Sequence, residues 1–316
     1  MVNFRFHLVS LIAVFLALGL GILTGSAVVN QATVQTIRRE IKDVRAEVNN
    51  LRSVNGQLKD DLNRSNAFLA DSAAYAVEGR LLAVPVAVLA ERGVSGGTVN
   101  DTIGLVRAAG AVAPAIVWLE SKWKLENDRD VQALRDATDL LGGANSVRQR
   151  ALDALALRLT SPPVAPVPGE PPRPDLLQRL SDAGFISIDP GNADMTTFPP
   201  TPARALLITG TQSDFAGTDL TVETAQALVN ANAPTVAGEV YVQQDGSDAP
   251  KRGDAVAKVR TKDTLASVVS TVDDLELVQG RVAAVLALQD LGAGTVGHYG
   301  YGDGASSSLP PSQQNS

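Results

Sequence analysis

Cysteine is missing from the 316-residue chain, and only two methionines and two histidines are present. Without thiols there are no disulfides, no thiolate metal sites and no cysteine nucleophile, so the fold must be held by burial. The soft sulfur donors come down to Met1 and Met195. Positive charge is in deficit: 27 Lys and Arg against 34 Asp and Glu leave a net charge of -7, which excludes the basic footprint of a nucleic-acid partner. Catalytic signatures are missing too. No G-x-G-x-x-G follows the first apolar run, "ERGVSGGT" (Glu91 to Thr98) departs from the nucleotide fingerprint, and there is no G-x-S-x-G elbow. These absences argue against an enzyme. Two further ones are positional: no charge between Leu8 and Val29, and no proline before Pro85.

The uncharged run "LVSLIAVFLALGLGILTGSAVV", residues 8–29, is long enough to matter. About 22 helical residues span roughly 33 Å, which matches a hydrocarbon core of about 30 Å. Arg5 precedes it and the next basic residues are Arg38 and Arg39, so the positive-inside rule keeps residues 1–7 in the cytoplasm and sends the rest out. A cleaved signal peptide has a shorter apolar region and a break after it. Here a helical pattern continues. Val34, Ile37, Ile41, Val44, Val48, Leu51, Asn55, Leu58, Leu62, Ser65 and Leu69 alternate spacings of three and four without a slip. That heptad, with β-branched residues frequent at a and leucine taking over at d, predicts a parallel homodimeric coiled coil over 30–75. Asn55 at an a position pairs with its twin only in a parallel, in-register dimer. Glu40 and Glu47 stand where they meet Arg45 and Arg52 of the other chain. Ala17, Gly21 and Gly25 form a small-residue face that lets two spanning helices approach closely.

Past the stalk the grammar changes. "RLLAVPVAVLAE" (80–91) and "AVAPAIVWLE" (111–120) are apolar runs of strand length, with a crossover helix between them. Helices are expected over 128–141, 146–159, 175–183 and 222–231, and strands over 185–188, 204–209, 236–242 and 265–272. A last helix follows near 278–292, stopped by Gly292. Alternation of this kind predicts an α/β domain with a largely parallel sheet, residues 80–304, whose strands are covered on both faces. "TSPPVAPVPGEPPRP" (160–174) is too rich in proline for a helix or central strand and reads as an exposed loop. Residues 305–316 read as a disordered tail.

Two stretches carry candidate chemistry. "STVDDLE" groups Asp273, Asp274 and Glu276 where a strand gives way to a helix, a place for a metal or sugar but also for helix caps. "GTVGHYGYGDG" (294–304) sets His298 among glycines. His298 with Asp303, and the phenols of Tyr299 and Tyr301, make a copper(II)-type donor set, since imidazole suits that ion. The structural reading is that the glycines permit positive φ and the His–Tyr pair pins the loop to the domain.

Three quoted pieces resemble the actinobacterial MctB family: "HLVSLIAVFLALGLGILTGS" with its heptad stalk, "VSTVDDLE…GRVAAVLALQDL", and "GTVGHYGYGDGA". The likeness runs from membrane segment to tail, most specifically in "GHYG" and "STVDD" and least in the proline-rich middle. It implies a single-span envelope protein, associated either with low intracellular copper or, in SteB-type members, with a cytoplasmic SteA partner and peptidoglycan hydrolase control at division. Copper(I) carriers need soft ligands this chain lacks, and a pore needs several spans or a closed barrel. The expectation is therefore a dimeric scaffold, with copper homeostasis as the alternative. No cofactor is expected other than copper itself.

Overall fold

The computed structural model describes residues 4–161, 174–191 and 203–311, with the side chains of 26–32 outside that description. The expected proline-rich loop therefore lies outside the described residues except at its ends. The chain divides into two units, residues 1–67 and 68–316.

The first helix, α1, spans Phe4–Val77 and has no proline anywhere along it. Gly79, at φ +72°, follows its end and breaks it. In the first unit, Phe4–Gly25 is a 22-residue stretch of mean hydropathy 2.5, long and apolar enough to cross a membrane.

The second unit is a seven-stranded α/β sheet. Its strands are β1 (Val86–Glu91), β2 (Ile116–Leu119), β3 (Ile186–Asp189), β4 (Arg204–Gly210), β5 (Thr235–Val240), β6 (Val269–Val272) and β7 (His298–Tyr299). They lie in the order β3-β2-β1-β4-β5-β6-β7, and all neighbours are parallel except β2 and β3. β3 runs backwards because the chain comes to it at the carboxyl end of β2, where Ile186 pairs with Leu119. The order reverses between β1 and β4, since β1 leads outward to β2 while β4 leads the other way to β5. That is a topological switch point.

Period-two alternation sorts the strands between two cores. Ala87 and Leu89 of β1, with Ala205 and Leu207 of β4, face one core. It is closed by α3 (Asp128–Thr138), α4 (Ala144–Thr160), α5 (Leu176–Asp182), α6 (Leu220–Asn230), α7 (Asp254–Thr261) and α8 (Asp263–Ala266). Val86, Val88, Leu206 and Ile208 face the other, closed by α2 (Gly96–Ala108), α9 (Val278–Leu291) and Val77 from the end of α1. Burial on both faces explains the nearly continuous apolar strands.

Most expected elements appear within a few residues of their predicted bounds. The strand expected over 265–272 begins only at Val269, because Asp263–Ala266 makes the short helix α8 instead. Residues 305–311, expected as part of a disordered tail, pair with the sheet edge: the Ser306 amide donates to the His298 carbonyl at 2.8 Å and the Gly300 amide to Ser307 at 2.9 Å.

Candidate functional site

The loops beyond the carboxyl ends of β5, β6 and β7 gather both sequence candidates around one side chain, Arg260. It belongs to α7 and is 8% exposed. Its Nε donates to Thr271 Oγ1 at 2.8 Å and its Nη2 to Asp273 Oδ2 at 2.8 Å. Nη2 also reaches the Tyr299 carbonyl at 3.1 Å, and Nη1 the Asp303 carbonyl at 2.8 Å. One guanidinium thus ties α7 to β6, to β7 and to the turn after it.

Asp273 holds the same turn from below. Its Oδ1 accepts from the amides of Tyr301 at 2.8 Å and Gly302 at 3.1 Å. Gly300, at φ +123°, packs so closely that a Cβ there would stand 2.1 Å from Asp273 Oδ1. Only glycine fits, and the glycines of "GHYGYGDG" are in part the imprint of that buried carboxylate.

His298 sits at the start of β7, half-buried. Its Nδ1 lies 3.0 Å from Thr271 Oγ1. Thr271 Oγ1, which accepts from Arg260, can either donate to Nδ1 or accept from it, according to the tautomer of the ring. The ring also hydrogen-bonds the Ala266 backbone. Burial, and then the Arg260 charge, hold the imidazole below its usual pKa of 6.5. Asp303 joins the cluster through its carbonyl on Arg260, while its residue is exposed. His298 and Asp303 therefore share a neighbour. Among the described residues, no three His, Cys, Asp or Glu side chains stand together as a metal would need.

Three more carboxyls line the strand ends. Glu239 of β5 caps α7, accepting from the Gly253 and Ala255 amides at 3.0 Å each. Burial, with the charge of Asp273 adding to it, pushes its carboxyl to about 7, and the backbone amides work against that rise. Asp274 is fully buried, and neither oxygen has a hydrogen-bond partner among the described residues. Burial first, then the charges of Asp273 and Glu276, push it to about 7. Glu276 accepts from the Tyr241 amide at 3.0 Å and pairs with Arg252, whose guanidinium lies 4.6 Å over the Tyr241 ring.

Sequence reasoning missed Arg260, Arg252 and Glu239. Glu239 did leave a trace: a lone acid inside the apolar strand "TVAGEV" must be buried with partners. An arginine in a short amphipathic helix leaves none.

The residues proposed for a dimer seam lie along α1. Val34, Ile37, Ile41, Val44, Val48, Leu51, Leu58 and Leu62 are 37–60% exposed in the single chain. Asn55 lies exposed in the same row, and Leu69, within the second unit, is half-buried.

A family model described as "Copper transport outer membrane protein, MctB" matches residues 1–310. Curated relatives agree. "Copper transporter MctB" of Mycobacterium tuberculosis (strain ATCC 25618 / H37Rv) is 28% identical over 317 residues, covering 97% of this chain and 98% of the relative. The protein of the same name from Mycobacterium leprae (strain TN) is 28% identical over 334 residues, covering 98% and 100%.

Proposed function

This chain belongs to the MctB copper-transport family, and from that premise we propose that it serves copper homeostasis at the cell envelope. The observation that carries the reading is the family match over residues 1–310 together with the relatives' name. The Phe4–Gly25 helix is the anchor, with the amino terminus in the cytoplasm and the α/β unit outside. Two chains join through the heptad face of α1. An apolar row this long and this exposed calls for a partner, and the heptad selects a second copy.

With two methionines and no cysteine, the protein is poorly equipped to carry copper(I) itself, so its role is accessory to transport. His298 and Asp303 are the candidate copper(II) ligands, and binding there requires the His298 ring to give up its hydrogen bond to Thr271 or to the Ala266 backbone. Titrating the detergent-solubilised protein with copper(II) tests the direct version. Binding indifferent to His298→Ala removes it. The reading as a whole is tested by deleting the gene and measuring cell copper by mass spectrometry. Copper should rise and return on complementation with the wild type but not with Leu51→Glu, Leu58→Glu. An unchanged copper content in the deletion strain sinks the proposal.

The exposed heptad row favours a second reading, a dimeric scaffold linking a SteA-like cytoplasmic protein to a peptidoglycan hydrolase. Co-purification of both with the solubilised dimer, and a septation defect in the deletion strain, are its expected marks. We assign no catalytic role, because Asp273 and Glu276 are each engaged by arginine and backbone amides.

A further inference from the structure

The switch point between β1 and β4, where open α/β sheets bind ligands, is plugged by the protein's own chain. Glu91, the last residue of β1, is fully buried there and accepts from three hydroxyls: Thr209 at 2.7 Å, Ser213 at 2.5 Å and Thr221 at 2.6 Å. The loop after β4 closes over it, with the Asp214 amide donating to the Arg92 carbonyl at 2.8 Å. One strand further along, over the carboxyl ends of β4 and β5, a cavity of about 500 Å³ opens between that loop, the first turn of α6, and the loop leading into α7. Its volume falls in the range of small-molecule pockets, about 300–1,000 Å³.

The hydrogen-bond bookkeeping at its wall selects the ligand. Thr209 and Thr221 line both the plug and the cavity. Each is more than nine-tenths buried and hydrogen-bonds Glu91 through its hydroxyl, the two oxygens lying 3.3 Å apart. Gln244 donates one Nε2 hydrogen to the Thr211 carbonyl at 3.4 Å, which leaves its oxygen and a second N–H for a ligand. Asp248 and Asp254 add carboxylates at the rim. Lys258, the single cation of the lining among the described residues, is paired with Asp219. Polar groups that can both accept and donate, with two carboxylates at the mouth, suit a hydroxyl-rich cation over an anion.

We propose that this cavity binds a small hydroxyl-rich amine of amino-sugar size. The site stands apart from the Arg260 cluster and does not depend on the copper reading. Calorimetric titration of the full chain in detergent with glucosamine, glucose and glucuronate tests it. The expected order is glucosamine tightest, glucose next and glucuronate weakest, with at least a tenfold gap between first and last. Ala216→Trp, at an exposed residue of the lining, should block the cavity and weaken glucosamine binding at least tenfold. Gln244→Leu removes one exposed acceptor and should weaken it severalfold, with circular dichroism confirming that both variants fold. No saturable binding of any of the three sugars, glucuronate binding as tightly as glucosamine, or an affinity that neither variant changes overturns the proposal.

Discussion

A guanidinium with four bonds and almost no contact with water is costly to strand. Arg260 keeps its charge inside the second unit because Asp273 answers it at 2.8 Å and three further acceptors complete the shell. Removing one partner of such a pair leaves an uncompensated buried charge, at about 3–5 kcal/mol. Asp273→Asn should therefore lower the unfolding free energy by roughly that amount in urea titrations. A loss below about 1 kcal/mol would show that the pair is solvated after all. Asp274, its neighbour, works in the opposite direction. Its carboxyl is raised from 3.8 to about 7 by burial and by Asp273 and Glu276, against Arg252 and Arg260. The folded protein thus holds a proton that the unfolded chain releases near pH 4. Stability contributed by this group falls as pH rises from about 4 to about 7 and is flat above that. Melting temperatures of the wild type and of Asp274→Asn should diverge across this window, the wild type losing ground as pH rises. Parallel curves would mean that folding leaves the pKa of this carboxyl unshifted. At this scale the sequence marked Asp273, Asp274 and His298 but not what they touch. Asp273 is answered by Arg260 of α7 and His298 meets Thr271, and hydrogen bonds between segments distant in the chain leave no periodic signal.

Helices and strands were legible in proportion to their length and pattern. The heptad of α1 and the apolar runs of β1, β2 and β4 announce themselves, whereas β7 is two residues inside a glycine loop. The eight residues of α7 are too few to establish a period. Among these elements the stalk half of α1 offers the sharpest test. In the parallel dimer we propose, Asn55 stands at a core a position, where it would lower stability while fixing register. Asn55→Leu should raise the thermal stability of the dimer and let cysteines at a and d positions crosslink in more than one register. Crosslinks confined to one register in that variant would show that Asn55 does not set the alignment.

At the scale of the molecule, alternation of strand and helix was enough to predict a largely parallel sheet with both faces covered. Strand order was not readable, because the switch between β1 and β4 depends on which edge each crossover returns to. The reversal of β3 follows three successive helices, α3 to α5, whose packing is tertiary.

The arrangement around Arg260 also sets an order of events during synthesis. Two of its four acceptors, the carbonyls of Tyr299 and Asp303, come from β7 and the turn after it, made about 40 residues later than Arg260 itself. Until those residues emerge, α7 carries a cation that the finished interior can accept only in company. The unit is thus built to be completed late, and a chain stopped after Gly297 should be lost to proteolysis, visible as its rapid disappearance in pulse-chase labelling while the full-length protein persists. Such a contact lets proteolysis distinguish a unit that has received its seventh strand from one that has not.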